Sequence, residues 1–383
     1  LGYLHTADYI VIVVYFSILV CLGLYLRKKA AASLEDYFLG GKKLPWWALG
    51  ISGMASFLDI TGTMVITSFL FLLGPRGLYI AFRGGAVLVL VFMLIWAGKW
   101  HRRSNVITGA EWQVYRFGKG AGGQFARLVA AFAGMIFTIG MLAYMVKGVG
   151  MFLSTFVPGF SPNQCALVLI VIATIYTMVS GFYGVVFTDM FQSLIILVAV
   201  VFISILATQA ISDYDGSLSD LAAEVTHNEN WTSALPPRQV PMPEGYGDYS
   251  PLIMLTFFYL LKNVMMGIGG GGDPKYFGAR NERECGVLTF LWTWLMMFRW
   301  PMMMGFAVLG VFLVKEKFPD QTTLSDSANV LKQYFVQQEY PNEPEAFNDA
   351  AIVRKVIPKE DWEGRVTDII GSPEKHPQVA GKL

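Results

Sequence analysis

The chain has 383 residues, of which 54% are hydrophobic and 15% charged, with a mean hydropathy of +0.49. That is too apolar for an ordinary soluble domain, so the surplus must face lipid. A net charge of +1 gives no field for nucleic acid or an acidic partner, and Cys21, Cys165 and Cys285 stand at spacings that imply neither a disulfide framework nor a zinc site.

A spanning helix needs ~20 mostly apolar residues to cross ~30 Å of hydrocarbon. Runs of that length predict eight spans, at about 8–27, 45–73, 78–100, 124–153, 163–181, 182–209, 251–272 and 286–314. All are expected to be helices, because hydrocarbon offers unpaired backbone groups no partner. With no initiator Met and no cleavable signal pattern, the first apolar run is expected to remain as a span.

After the first span come Arg27, Lys28, Lys29, Lys42 and Lys43. After the third come Lys99, Arg102, Arg103, Arg116 and Lys119, and after the seventh Lys275, Arg280 and Arg283. By alternation these loops share one side, which is expected to be cytoplasmic, with the N-terminus outside. Residues 109–123 predict an amphipathic helix on the cytoplasmic membrane surface, with Arg116 and Lys119 towards headgroups. The acidic stretch 210–250 and the polar segment 315–383 are expected to be external.

The second span is irregular. It would run some 43 Å if straight, and its middle carries Gly50, Ser52, Gly53, Ser56, Asp59, Thr61, Gly62 and Thr63. Such a centre predicts an unwound helix lining a cavity. The fifth and sixth spans are separated only by residues 180–184, which predicts a tight hairpin, and the seventh ends in the glycines 269–272 followed by Asp273-Pro274, which cannot continue a regular helix. Interrupted helices in corresponding positions of two halves point to a transporter site.

Charges near the bilayer centre need a partner, a water path or a route to the interface. Arg83 and Lys147 lie near enough to span ends to snorkel. Lys262, Arg299, Asp59 and Asp189 lie deeper, and either pair with one another or face a hydrated ligand site. A small hard cation wants several oxygens, and residues 55–63 offer freed backbone carbonyls together with the side chains of Ser56, Asp59 and Thr61.

Four stretches together resemble the sodium/solute symporters, the family of the sodium/glucose and sodium/proline carriers. They are Asp36-Tyr37-Phe38-Leu39-Gly40-Gly41-Lys42 with Leu44-Pro45-Trp46-Trp47; Thr108-Gly109-Ala110-Glu111-Trp112 with Arg116-Phe117-Gly118; the hairpin from Ser180 through Asp189 to Gln192; and Phe277-Gly278-Ala279-Arg280-Asn281-Glu282-Arg283-Glu284. The hairpin is the most specific.

The resemblance implies an all-α membrane protein with a five-plus-five inverted helix repeat and alternating access around a midplane site. Residues 1–30 would be an extra N-terminal helix, 45–209 the first repeat, 210–250 an external loop, 251–314 the first two helices of an incomplete second repeat, and 315–383 an external segment. It further implies a sodium ion, in the place of a cofactor, at the carbonyls of Ala55 and Leu58, with Asp189 supporting a further sodium site or the exit path. A small polar solute, sugar-like or sugar-acid-like, is expected at Ser56, Asp59, Thr61, Lys262, Asn263 and Arg299. Phe57 stands where members commonly have Asn or Asp, and nothing after Val314 resembles the family's helix of paired Ser or Thr hydroxyls. The 383 residues alone are therefore not expected to transport.

The expected function is sodium-coupled symport, with solute, sodium and the lipid bilayer as partners, no nucleic acid, and a plasma-membrane (bacterial inner-membrane) location. The alternative is a solute-sensing receptor or signalling module on the same scaffold. An enzyme is not expected, since His5, His101, His227 and His376 form no metal or triad spacing.

Overall fold

A computed structural model describes residues 5–82, 86–157, 159–243, 246–269, 273–317 and scattered positions from 329 to 342. Arg83, the glycines 270–272, His376 and most of the segment 315–383 lie outside the described residues.

Helix α1 (Thr6–Ala30) opens on the Asp8 carboxylate, which accepts the His5 N–H at 2.8 Å, and closes on Arg27, Lys28 and Lys29, so charge at both ends suits the helix dipole. The short α2 (Leu34–Leu39) is capped by Ser33 and stops at Gly40, whose φ of 64° suits glycine. The expected second span is two helices. α3 (Trp46–Ala55) starts after Pro45, and α4 (Ile60–Leu73) starts from Asp59, leaving 56–59 outside regular helix.

The expected third span is also divided. It comprises α5 (Gly77–Ala81), α6 (Ala86–Phe92), a π-helical turn at Met93–Ala97 and α7 (Gly98–Ser104), which ends on Asn105 at φ 54°. α8 (Gly109–Phe117) is capped by Thr108, which accepts the Glu111 N–H at 3.2 Å while the Glu111 carboxylate accepts the Ile107 N–H at 2.9 Å. α9 (Ala121–Ser154) follows, with Phe125, Leu128, Phe132 and Phe137 exposed as a lipid-facing helix requires.

α10 (Pro162–Ser212) contains 51 residues, ~76 Å if straight and far beyond a bilayer. Its single non-helical residue, Gly181 (φ 54°, ψ −152°), divides it into 162–180 and 182–212, where the expected hairpin lies. α11 (Leu218–Thr226), α12 (Leu252–Gly269), α13 (Pro274–Phe277), α14 (Glu282–Met296) and α15 (Arg299–Lys317) complete the described helices. The expected eighth span is therefore broken at Met297 and Phe298. Pro301 explains the position, since it lacks the N–H that would bond to the Met297 carbonyl.

Five helical stretches among the described residues are long and apolar enough to cross a membrane: Thr6–Ala30, Ile60–Ala81, Ala121–Ser154, Pro162–Ser212 and Glu282–Glu316. The shorter apolar helix Leu252–Ile268 joins them. This is an all-helical membrane protein.

The chain forms two units. The first comprises Leu1–Gln209 and Thr232–Ala307. Its core lies between α3 and α14, where Leu49, Met54, Leu288, Trp292 and Met296 are buried with Leu26 and Tyr276. Gly50 permits the approach: a Cβ there would stand 3.0 Å from the Leu288 carbonyl oxygen. The second unit comprises Ala210–Trp231 and Val308–Leu383, in which the Lys315 ammonium pairs with Glu224 and Tyr214 meets Phe312 edge-on at 5.6 Å.

At the end of the first unit that carries the basic loops, the Arg280 guanidinium donates to the Lys43 carbonyl through Nε at 2.9 Å and Nη2 at 2.6 Å. Arg102 donates to the Arg280 carbonyl at 3.2 Å, and Arg103 pairs with Glu282 at 2.6 Å. Lys42 donates to Asn105 at 2.6 Å. α8 is seated by Trp112, buried with Leu39 and Phe277, while Arg116 stacks over the Trp112 ring at 5.3 Å.

Candidate ion and solute site at the helix break

The break follows from local hydrogen bonding. α3 tightens as it ends: the Ser56 N–H bonds to the Ser52 carbonyl at 3.1 Å, the Phe57 N–H to Met54 at 3.0 Å and the Leu58 N–H to Ala55 at 3.0 Å. Asp59 then restarts the chain as the cap of α4, its carboxylate accepting the Gly62 N–H at 2.5 Å and its carbonyl the Thr63 N–H at 3.0 Å. Ala55 O thus carries one backbone hydrogen bond, and among the described residues no backbone N–H donates to Leu58 O. A carbonyl oxygen has two lone pairs, so both retain capacity for a cation.

Polar side chains gather here from three directions. Ser52 Oγ donates to the Asp189 carboxylate at 2.5 Å, tying α3 to α10. Ser56 Oγ donates to the Ser52 carbonyl at 2.8 Å and accepts from Lys275 Nζ at 3.1 Å. Lys275, buried at 7% exposure, also faces Asp273 at 3.7 Å and stands over the Trp292 ring at 5.5 Å. Beneath it, burial pushes the Tyr276 phenol above its ordinary pKa, so that side chain stays neutral and accepts from Thr289 at 2.9 Å.

On the other flank, Asp59 and Arg299 face each other across Gly62. A Cβ on Gly62 would stand 2.9 Å from Asp59 Oδ2 and 3.3 Å from Arg299 Nη2. Arg299 also lines a cavity of about 240 Å³ with Met54, Leu58, Met190, Ser193 and Leu197. Arg299 Nε and Ser193 Oγ are buried there without hydrogen-bond partners among the described residues.

Of the residues singled out from the sequence, Ala55, Ser56, Leu58 and Asp59 form the break itself, Asp189 reaches it through Ser52, and Arg299 adjoins it through Asp59. Thr61 lies one step further on, with its hydroxyl donating to the Met145 carbonyl at 3.2 Å, so it joins α4 to α9. Lys262 and Asn263 lie on α12, which packs on α5 and α6; Lys262 is exposed, and buried Asn263 donates to the Phe82 carbonyl at 2.8 Å. Sequence reasoning missed Lys275, which had counted as a loop charge. The aromatic pair Tyr276-Phe277 beside it was the available signal that this loop is buried. His101 also differs from a loop histidine: it is fully buried, with its ring 4.9 Å from those of Trp112 and Phe277.

The broken helix, its spare carbonyl and the acidic residue tied to it invite comparison with known carriers. The sequence profile of the sodium:solute symporter family matches residues 37–267, more than half of the chain. The chain belongs to the sodium:solute symporter family. Members of this symporter family are transporters, not enzymes. The sodium/sialic acid symporter NanT of Aliivibrio fischeri is 26% identical over 260 residues, which cover 66% of this chain and 47% of NanT. A sodium/proline symporter of Staphylococcus aureus (strain Newman) is 27% identical over 228 residues, covering 58% of this chain and 43% of that protein. The chain thus spans about half the length of these relatives. A substrate-bound, outward-open sodium-coupled sialic acid symporter of known structure aligns with a TM-score of 0.63 at 20% identity, over 81% of this chain and 61% of that one, and so shares its fold.

Proposed function

We propose that this protein acts in sodium-coupled symport of a small polar organic solute, sugar-like or sugar-acid-like, by alternating access. Sodium is a co-substrate, bound by the carbonyls of Ala55 and Leu58, with Asp189 supporting a further site or the exit path. Solute contacts come from Ser56, Asp59, Thr61, Lys262, Asn263 and Arg299. The observation that carries this reading is the interruption at 56–59, where Leu58 O takes no backbone hydrogen bond among the described residues while Ser52 holds Asp189 at the neighbouring turn. Freed carbonyls beside a carboxylate suit a hard monovalent cation better than they suit an apolar ligand.

The same reading takes α3 to 182–212 as the helices of one inverted repeat, α12 to α15 as the beginning of the second, and α1 as an additional helix. The N-terminus is outside, supported by the basic loops gathered around Arg280, Arg102 and Lys43. Names of the relatives favour sialic acid and proline as first solutes to try.

Coupling predicts that sodium tightens solute binding, typically by ~1–3 kcal/mol or roughly 5–150-fold. Equilibrium binding of radiolabelled N-acetylneuraminic acid, glucose and proline, measured in sodium chloride and in choline chloride, tests this. At least one solute binds at least about fivefold more tightly in sodium. Equal affinity in both salts for all three contradicts sodium coupling.

A further inference from the structure

Lys275 has no place in the ion and solute assignments above, yet it touches the break. Its side chain is buried to 8% exposure, with the ammonium 3.1 Å from Ser56 Oγ, 3.7 Å from Asp273 Oδ1 and 5.5 Å from the centre of the Trp292 ring. Removing an ammonium from water is costly unless fixed partners replace its hydration, so this arrangement is a built pocket for a cation. An ammonium carries three donors and no acceptor, and Ser56 and Asp273 supply oxygens to it.

From the ammonium a polar chain leads across two helices. Ser56 Oγ accepts from Lys275 and donates to the Ser52 carbonyl, and Ser52 Oγ donates to Asp189. Lys275 faces the Asp273 carboxylate at one end of this chain, and the Asp189 carboxylate closes the other. Counted as ionised, these two carboxylates and one ammonium leave a single negative charge, which is the complement of one monovalent cation. Ala55 and Leu58, whose carbonyls are assigned to sodium, flank Ser56 in the chain.

We infer that Lys275 is a tethered competitor of sodium, an internal cation whose ammonium rests against Ser56 and offsets Asp189 when the ion site is empty. This rests on the sodium-coupled reading and deepens it. An arriving sodium ion at the Ala55 and Leu58 carbonyls meets the fixed positive charge and drives the ammonium from Ser56 towards Asp273. Lys275 thereby lowers sodium affinity and carries ion occupancy from the break to the segment 273–277 between α12 and α14. No covalent or redox step is involved.

The test is a sodium titration of the purified full chain, followed by tryptophan fluorescence and by melting temperature, with choline chloride holding ionic strength constant. Lys275→Gln keeps a donor for Ser56 and removes the charge, so its sodium midpoint falls by at least about tenfold. Lys275→Arg keeps the charge and stays within about threefold of wild type. Asp273→Asn retains the cap on α13 but releases the ammonium towards Ser56, so its midpoint rises by about threefold or more. A wild-type protein indifferent to sodium overturns the sodium-coupled reading and this inference with it. A responsive wild type with an unchanged or raised midpoint in Lys275→Gln overturns this inference alone. Should Lys275→Gln fail to fold, Asp273→Asn decides: a raised midpoint supports the competitor, and an unchanged or lowered one overturns it.

Discussion

Ser52 and Asp189 are joined by a 2.5 Å hydrogen bond in which the hydroxyl of α3 donates to the carboxylate of α10. The contact spans 137 positions of sequence and fixes the end of α3 against α10 just before the break at 56–59.

Replacing Ser52 with Ala removes that donor and leaves Asp189 under-satisfied in a region of low polarity. The expected cost is ~1–3 kcal/mol of stability. A lower melting temperature in detergent checks it, together with a weaker response to sodium. An Asp189→Asn variant keeps an acceptor oxygen for Ser52 and loses the charge, so it retains more stability than Ser52→Ala while losing more sodium response.

Gly181 divides α10 at φ 54° and ψ −152°, a conformation open essentially to glycine. A Cβ there would also stand 2.8 Å from the Tyr37 carbonyl oxygen. Gly181→Ala is expected to destabilise by ~1–3 kcal/mol through backbone strain, with further loss from the clash. Gly134→Ala, inside α9 where nothing lies within 4 Å, is the matching control and leaves the melting temperature at or slightly above wild type.

The break was legible in the sequence because Ser56, Asp59 and Gly62 cannot sustain an apolar membrane helix without a reason to be there. The division of α10 was legible because 51 apolar-rich residues exceed any bilayer and Gly181 offers the fold-back point. Burial of loop charge was not legible. Lys275 stands beyond the seventh apolar run and counts as cytoplasmic by the same rule that reads Arg280 and Arg283; its seat on Trp292 depends on α14 packing against α3, a long-range contact without local signature. The split of the eighth span was available from Trp300-Pro301 but masked by a hydropathy that stays high across Met297 and Phe298. Asn263 and Thr61 stand out in the sequence as polar residues at membrane depth; that each also holds a neighbouring element through a backbone carbonyl had no local signature.

Asp59 has two duties that substitution separates. It caps α4 through the Gly62 N–H, and it faces Arg299. Asp59→Asn retains the cap and loses the charge, whereas Asp59→Ala loses both. The alanine variant is therefore expected to fall below the asparagine variant by ~1 kcal/mol of stability, the ordinary worth of a cap. Thermal unfolding of the two variants side by side measures the difference.

Arg280 joins the loops through its paired bonds to Lys43 O, and Cys285, at the start of the helix that follows, is completely buried with Sγ 3.8 Å from the Tyr276 carbonyl. Loss of a charge-assisted bond costs ~1.5–3 kcal/mol, enough to raise local opening by about tenfold or more. Arg280→Ala in a Cys21→Ser, Cys165→Ala background is expected to accelerate maleimide labelling of Cys285 by that factor. Arg280→Lys, which lacks the planar fork, recovers only part of the protection.

Binding of radioactive sodium to the purified protein tests the ion site at the break most directly. The predicted result is saturable binding that unlabelled sodium displaces, that potassium and choline do not displace at equal concentration, and that Asp189→Asn weakens. Absence of saturable binding, or displacement by potassium as effective as that by sodium, would contradict a sodium site at Ala55, Leu58 and Asp189.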